Sequence, residues 1–201
     1  MVSRFCGVLI IGVVIKIMDD VMDQNIDRLN ENWNIANLTG CSSLFPYTLF
    51  LLILAVYLNC DEAIGYFTAS YLVGMNGDMR IKLPTYILAW QEGIIIFMVG
   101  VLTTSFFNSL GCLLLIFLLQ ITDDLIDYKK EKYIKYKNYV SMIGKVNVIL
   151  IIIIITILIF LYYQEKALYF LPAVLIIYIG QYMLSKKLYK KINNRNGKYE
   201  Y

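Results

Sequence analysis

From Val146 to Tyr163 the chain carries no charged side chain, and the stretches from Leu44 to Asn59 and from Phe106 to Ile121 read the same way. A hydrocarbon core ~30 Å thick needs about 20 apolar residues per crossing helix, and backbone inside it must satisfy its own hydrogen bonds. Apolar blocks of this length therefore point to an all-α, polytopic membrane bundle. Seven blocks qualify, giving expected transmembrane helices over Phe5–Met18, Leu44–Cys60, Ala63–Gly77, Pro84–Thr103, Phe106–Ile121, Val146–Tyr163 and Leu168–Leu184. With 59% of 201 residues hydrophobic and 16% charged, little is left for a separate soluble domain, so residues 1–201 are expected to form one transmembrane domain.

Strict alternation of seven spans puts the 20–43 loop, the 78–83 loop, the 123–145 segment and the C-terminal tail on one side. Basic residues crowd that side, among them Arg28, Arg80, Lys82, Lys129, Lys130 and the tail lysines, whereas the other side holds Arg4 and Lys166. By the positive-inside rule the crowded side is cytoplasmic, with the C-terminus there and the chain multi-pass in the cell membrane. The basic tail is read as a topology determinant that touches anionic lipid, and no nucleic-acid partner is expected.

The residues available for chemistry are narrow in type. There is no histidine, which excludes His-based triads and His ligation of zinc or haem. Cys6, Cys41, Cys60 and Cys112 are scattered without a CxxC pair and are read as small apolar residues. Carboxylates remain, and they are clustered: Asp19, Asp20, Asp23 and Asp27 follow the first apolar block, and Asp123, Asp124, Asp127 and Glu131 follow the fifth. Asp20, Asp23 and Asp27 fall on one helical face, as do Asp123, Asp127 and Glu131. Stacked like charges call for a cation, and Mg²⁺ suits oxygen ligands shared with substrate phosphates. The alternation places both clusters at one membrane face although neither was used to derive it.

At these residues the chain resembles the UbiA-type intramembrane prenyltransferases, whose signatures read (N/D)DxxDxxxD and DxxxD. Asp19-Asp20-x-x-Asp23-x-x-x-Asp27 matches the first, with Arg28 as the basic residue that often follows, and Asp123-x-x-x-Asp127 matches the second. Arg80-Ile81-Lys82-Leu83-Pro84 is similar to the family's basic loop ahead of a proline. Gln91-Glu92-Gly93 through Gly100 is similar to a stretch in the branch that prenylates 1,4-dihydroxy-2-naphthoate. The resemblance implies transfer of an isoprenoid group from a prenyl diphosphate to a lipophilic, quinone-precursor-like acceptor. Mg²⁺ would be held by Asp20, Asp23, Asp27, Asp123 and Asp127, and the diphosphate by Asp19, Arg28, Arg80, Lys82 and Lys130. Tyr66, Tyr71, Tyr86 and Trp90 are candidates to face an allylic cation. Glu92, expected near the middle of the fourth span where a charge is costly, is a candidate to orient or deprotonate the acceptor.

Departures from the family pattern are plain. Members usually have nine helices, and Asn30-Glu31-Asn32-Trp33 stands where Arg-Pro-Leu is expected, which implies either a misplaced start codon or a reduced member, inactive or in need of a protein partner that supplies the missing helices. A terpene cyclase of the same superfamily shares both motifs without using an acceptor. A CDP-alcohol phosphotransferase is disfavoured because Gln24 follows Asp23 where its signature needs glycine. A non-catalytic divalent-ion-binding membrane protein is the alternative outside enzymes.

Overall fold

The computed structural model describes residues 1–30, 34–75, 82–128 and 138–196, and the side chains of 26, 30, 127 and 187–196 lie outside the description. Ten helices occur among these residues: α1 (Val2–Met22), α2 (Gln24–Asn30), α3 (Ile35–Thr39), α4 (Cys41–Leu58), α5 (Cys60–Met75), α6 (Ala89–Thr103), α7 (Phe106–Asp127), α8 (Tyr139–Ile143), α9 (Lys145–Tyr162) and α10 (Gln164–Asn196). The architecture is all-α, with a single antiparallel bridge between Lys82 and Leu88 as the β pairing among described residues. Four helical segments are long and apolar enough to cross a membrane: Cys41–Leu58, Phe106–Ile126, Lys145–Tyr162 and Gln164–Lys186. Of the other three long helices, α1 carries Arg4, Lys16, Asp19 and Asp20, while α5 and α6 are shorter.

Each expected span coincides with a long helix, but three boundaries differ by five residues or more. The fourth starts at Ala89 rather than Pro84, because Pro84 occupies the second position of a β-turn closed by the Tyr86 N–H donating to the Leu83 carbonyl at 2.9 Å. Tyr86 then takes φ 66°, which breaks any helix there, and the Leu83 N–H donates to the Ile87 carbonyl at 3.1 Å to complete a small hairpin. The fifth continues past Ile121 to Asp127, so the second acidic cluster is helical. The last runs to Asn196, far beyond Leu184.

Two short helices were not expected from the sequence, and they are built alike. Asn34 caps α3 by accepting the Ala36 N–H at 2.8 Å, and Asn138 caps α8 by accepting the Val140 N–H at 2.9 Å. Each short helix ends at a glycine with positive φ, Gly40 at 82° and Gly144 at 87°, where the chain turns into the next long helix. The likeness extends through the chain at one constant spacing, the 104 residues that separate Glu62 from Lys166. At that spacing α1 corresponds to α7, α3 to α8, α4 to α9 and α5 to the start of α10. The fold is therefore a tandem repeat, with α6 as the connector.

Contacts at one end fix the helix directions. Ser3 donates to the Leu58 carbonyl at 2.6 Å, Arg4 pairs with Glu62, Asn108 donates to the Asp61 carbonyl at 3.0 Å, and Lys166 pairs with Glu62. The starts of α1, α5, α7 and α10 thus meet at one end, and all four run the same way. Helix α6 returns antiparallel to α5, packed through Gly93 on Leu72 and Gly100 on Thr68. A Cβ at Gly100 would collide with the Thr68 hydroxyl, the close backbone approach that small residues permit between helices. Val8, Ile11, Ala63, Ala69 and Leu115 centre the core between the halves.

Candidate functional site

Because α1 and α7 run parallel from a common end, their C-terminal acidic boxes emerge together at the opposite end. The repeat aligns them residue by residue: Asp19 with Asp123, Asp20 with Asp124, Asp23 with Asp127. Helix α10 ties the two sides. Its Ile177 lies against α1, where a Cβ at Gly12 would stand 2.7 Å away, and the neighbouring Tyr178 hydroxyl donates to the Asp123 carboxylate.

The second aspartate of each box closes a loop. Asp20 is buried; one oxygen accepts the Ile35 N–H at 3.0 Å, and the other lies 3.1 Å from the Lys16 ammonium. In the other half Asp124 accepts the Tyr139 N–H at 2.7 Å and the Gln120 amide at 3.2 Å. Asn34 completes the first clamp by donating to the Asp20 carbonyl at 2.5 Å, and Asn138 completes the second by donating to the Asp124 carbonyl at 3.0 Å. A carboxylate at the helix end and an asparagine 14 residues later thereby hold each return loop shut.

The remaining predicted residues fall as follows. Asp19 pairs with Lys16 at 2.7 Å. Asp23 ends α1 with φ −92° and ψ 8°, and the chain continues at once into α2. Asp27 accepts from the Asn34 amide at 2.8 Å, the same amide that donates to the Asp20 backbone carbonyl; the expected single helical face through Asp20, Asp23 and Asp27 is interrupted, because α1 ends at Met22 and Asp27 belongs to α2. Arg28 is exposed in the last turn of α2, and Lys82 is exposed in the hairpin bridge. Asp127 is the last residue of α7, its side chain outside the description. Arg80, Lys130 and Glu131 also lie outside the described residues. Among the described residues no three His, Cys, Asp or Glu side chains form a ready metal cage.

Glu92 requires a correction of place. It sits in the first turn of α6 rather than mid-span, where the helix dipole favours a carboxylate. Both of its oxygens are taken, one by the Tyr71 hydroxyl from α5 and one by the Thr85 hydroxyl of the hairpin. Tyr71 is therefore engaged at the end that carries the boxes. Tyr66 is in the core one turn from Glu62, near the other end, while Tyr86 and Trp90 are exposed.

Asn34, Asn138, Asp124 and Tyr178 are site residues that motif reading missed. For the first three the signal was present: in both halves a DDxxD box is followed by an asparagine 14 residues after its second aspartate and a glycine six further on, visible on comparing the sequence with itself. Tyr178 has no such signal, since its counterpart is Gly74. Comparison with known proteins adds nothing to this picture: no family model, no curated protein and no solved structure matches the chain.

Proposed function

We propose that the chain is a Mg²⁺-dependent intramembrane prenyltransferase of the UbiA type, with seven membrane spans and the acidic end in the cytoplasm. The observation that carries the reading is the recurrence of DDxxD at the ends of two equivalent, parallel helices, so that both boxes emerge at one end of an apolar bundle.

The donor set suits magnesium. Every candidate ligand is a carboxylate oxygen, the ligand type that suits an ion that completes its shell with water and substrate phosphate. Asp19, Asp23, Asp27, Asp123 and Asp127 would hold it, with Asp20 reaching it by any lone pair its two partners leave. Bound there, Mg²⁺ supplies positive charge to a diphosphate leaving group. Arg28 and Lys82, with Arg80 and Lys130, add fixed positive charge where negative charge develops as the allylic C–O bond breaks. The apolar helices take the isoprenoid tail and exclude water from the carbocation. Tyr178 orients Asp123. Glu92, held through Tyr71 and Thr85, anchors the hairpin that carries Lys82 over the same end.

The test incubates the purified chain in lipid with a panel of prenyl diphosphates, with and without Mg²⁺, and follows released diphosphate and lipid products. Mg²⁺-dependent release with a prenylated acceptor supports the transferase. A cyclic hydrocarbon formed without acceptor moves the chain to the terpene cyclases, and metal binding without release leaves a passive ion-binding protein.

A further inference from the structure

Two pairs of side chains touch their own counterparts in the other half. The Glu62 carboxylate meets the Lys166 ammonium at 2.6 Å, 104 positions apart, and one helical turn on, Tyr66 stacks on Phe170 with ring centroids 5.2 Å apart. A residue meets its own equivalent only at the axis that relates two copies, so these contacts mark the axis between the halves. At such a place two identical copies present the same side chain to itself. Two glutamates or two lysines there would face each other in a core where Glu62 and Lys166 are 2% and 7% exposed, and like charges without water repel strongly.

We propose that Glu62–Lys166 is a pairing lock: opposite charges at equivalent positions make the two halves bind each other and disfavour the pairing of like halves. The surroundings follow the same logic. Arg4 lies 2.6 Å from Glu62 and 3.7 Å from Glu165, and its counterpart Asn108 donates to the backbone of Asp61, the counterpart of Glu165. The Lys166 ammonium also lies 3.5 Å from the Cys112 sulfur and 5.7 Å from the centre of the Tyr66 ring, so the charge sits in a made-to-measure setting rather than at a wet surface. The acidic boxes are at the other end, so the lock stands or falls independently of any enzymatic activity.

Because the halves are equivalent, the lock can be turned around. Glu62→Lys and Lys166→Glu alone should each lower the thermal unfolding midpoint in detergent by roughly 10 °C, the scale for breaking a buried pair in a chain of this size. The fourfold exchange Arg4→Asn, Asn108→Arg, Glu62→Lys and Lys166→Glu, which trades the polar residues between halves, should recover more than half of that loss. An exchanged chain that folds yet is no more stable than the single variants overturns the proposal, as do single variants that unfold like the wild type. If the exchanged chain does not fold, the neutral cycle decides. A Glu62→Gln/Lys166→Gln chain more stable than Glu62→Gln alone supports the lock, because the stranded lysine charge has gone, and simple addition of the two losses overturns it.

Discussion

Asn34→Asp changes one atom's chemistry and almost no volume, and the structure gives its cost. The side chain is 2% exposed; its oxygen caps α3, and its amide donates to the Asp20 carbonyl at 2.5 Å and the Asp27 carboxylate at 2.8 Å. An aspartate keeps the cap but turns both donations into oxygen–oxygen contacts. Losing one neutral hydrogen bond and one to a charged group costs about 2–4 kcal/mol, and a better charged cap returns up to about 1. A net loss of about 2–3 kcal/mol corresponds to a midpoint lower by roughly 4–12 °C, read from tryptophan fluorescence in nanodiscs. The sign with pH follows from the new carboxyl. Facing Asp27, its folded-state pKa lies above the unfolded ~3.9, so the folded state holds more protons in that window and stability falls as pH rises through it. The gap to the wild type should therefore narrow on going from pH 7.5 to pH 5. A midpoint within 1 °C of the wild type at pH 7.5, or a gap that widens in acid, would refute the clamp.

Asn138→Asp should destabilise the second loop in the same direction, since its amide donates to the Asp124 carbonyl in the same way. Asp23→Asn should cut Mg²⁺-dependent diphosphate release by more than tenfold, the equivalent of about 1.36 kcal/mol at the transition state, and Asp20→Asn should lower both the release and the unfolding midpoint. Gly144→Ala meets open space but must adopt φ 87°, so it should cost about 1–3 kcal/mol by strain alone, checked by the unfolding midpoint. In a cysteine-free background, Leu38→Cys and Met142→Cys, on α3 and α8, should react with an impermeant maleimide from the same side of sealed vesicles; labelling from opposite sides breaks the common acidic end.

The long helices were legible in the sequence because an apolar run of span length has few other uses, and α4, α7 and α9 stand within a few residues of the expected positions except where α7 runs on. The acidic cluster was legible as a cluster, but not in its division of labour. Within the box Asp20 looks like its neighbours; its role as the loop clasp comes from the Ile35 N–H, 15 residues later, which folds back on its carboxylate. Five-residue helices such as α3 give too little periodicity to detect, and they exist because Asn34 and Gly40 cap both ends. The misplaced start of α6 has the same root: Pro84 fits a first helical turn and a β-turn equally well, and it is the hydrogen bond from Tyr86 to Leu83 that decides.

Helix α6 stands between the two halves, and it sets the parity of the molecule. A unit of three long helices copied end to end would begin its second copy heading the opposite way, and the two DDxxD boxes would point to opposite ends, unable to share a ligand. The fourth helix brings the chain back to its starting side before the copy begins. It gives up nothing of its own to the acidic end except Glu92 and the hairpin ahead of it, yet through it two carboxylate boxes point in one direction. Deleting or duplicating a helix between Met75 and Phe106 would invert the second half as a whole, however faithfully each half folded.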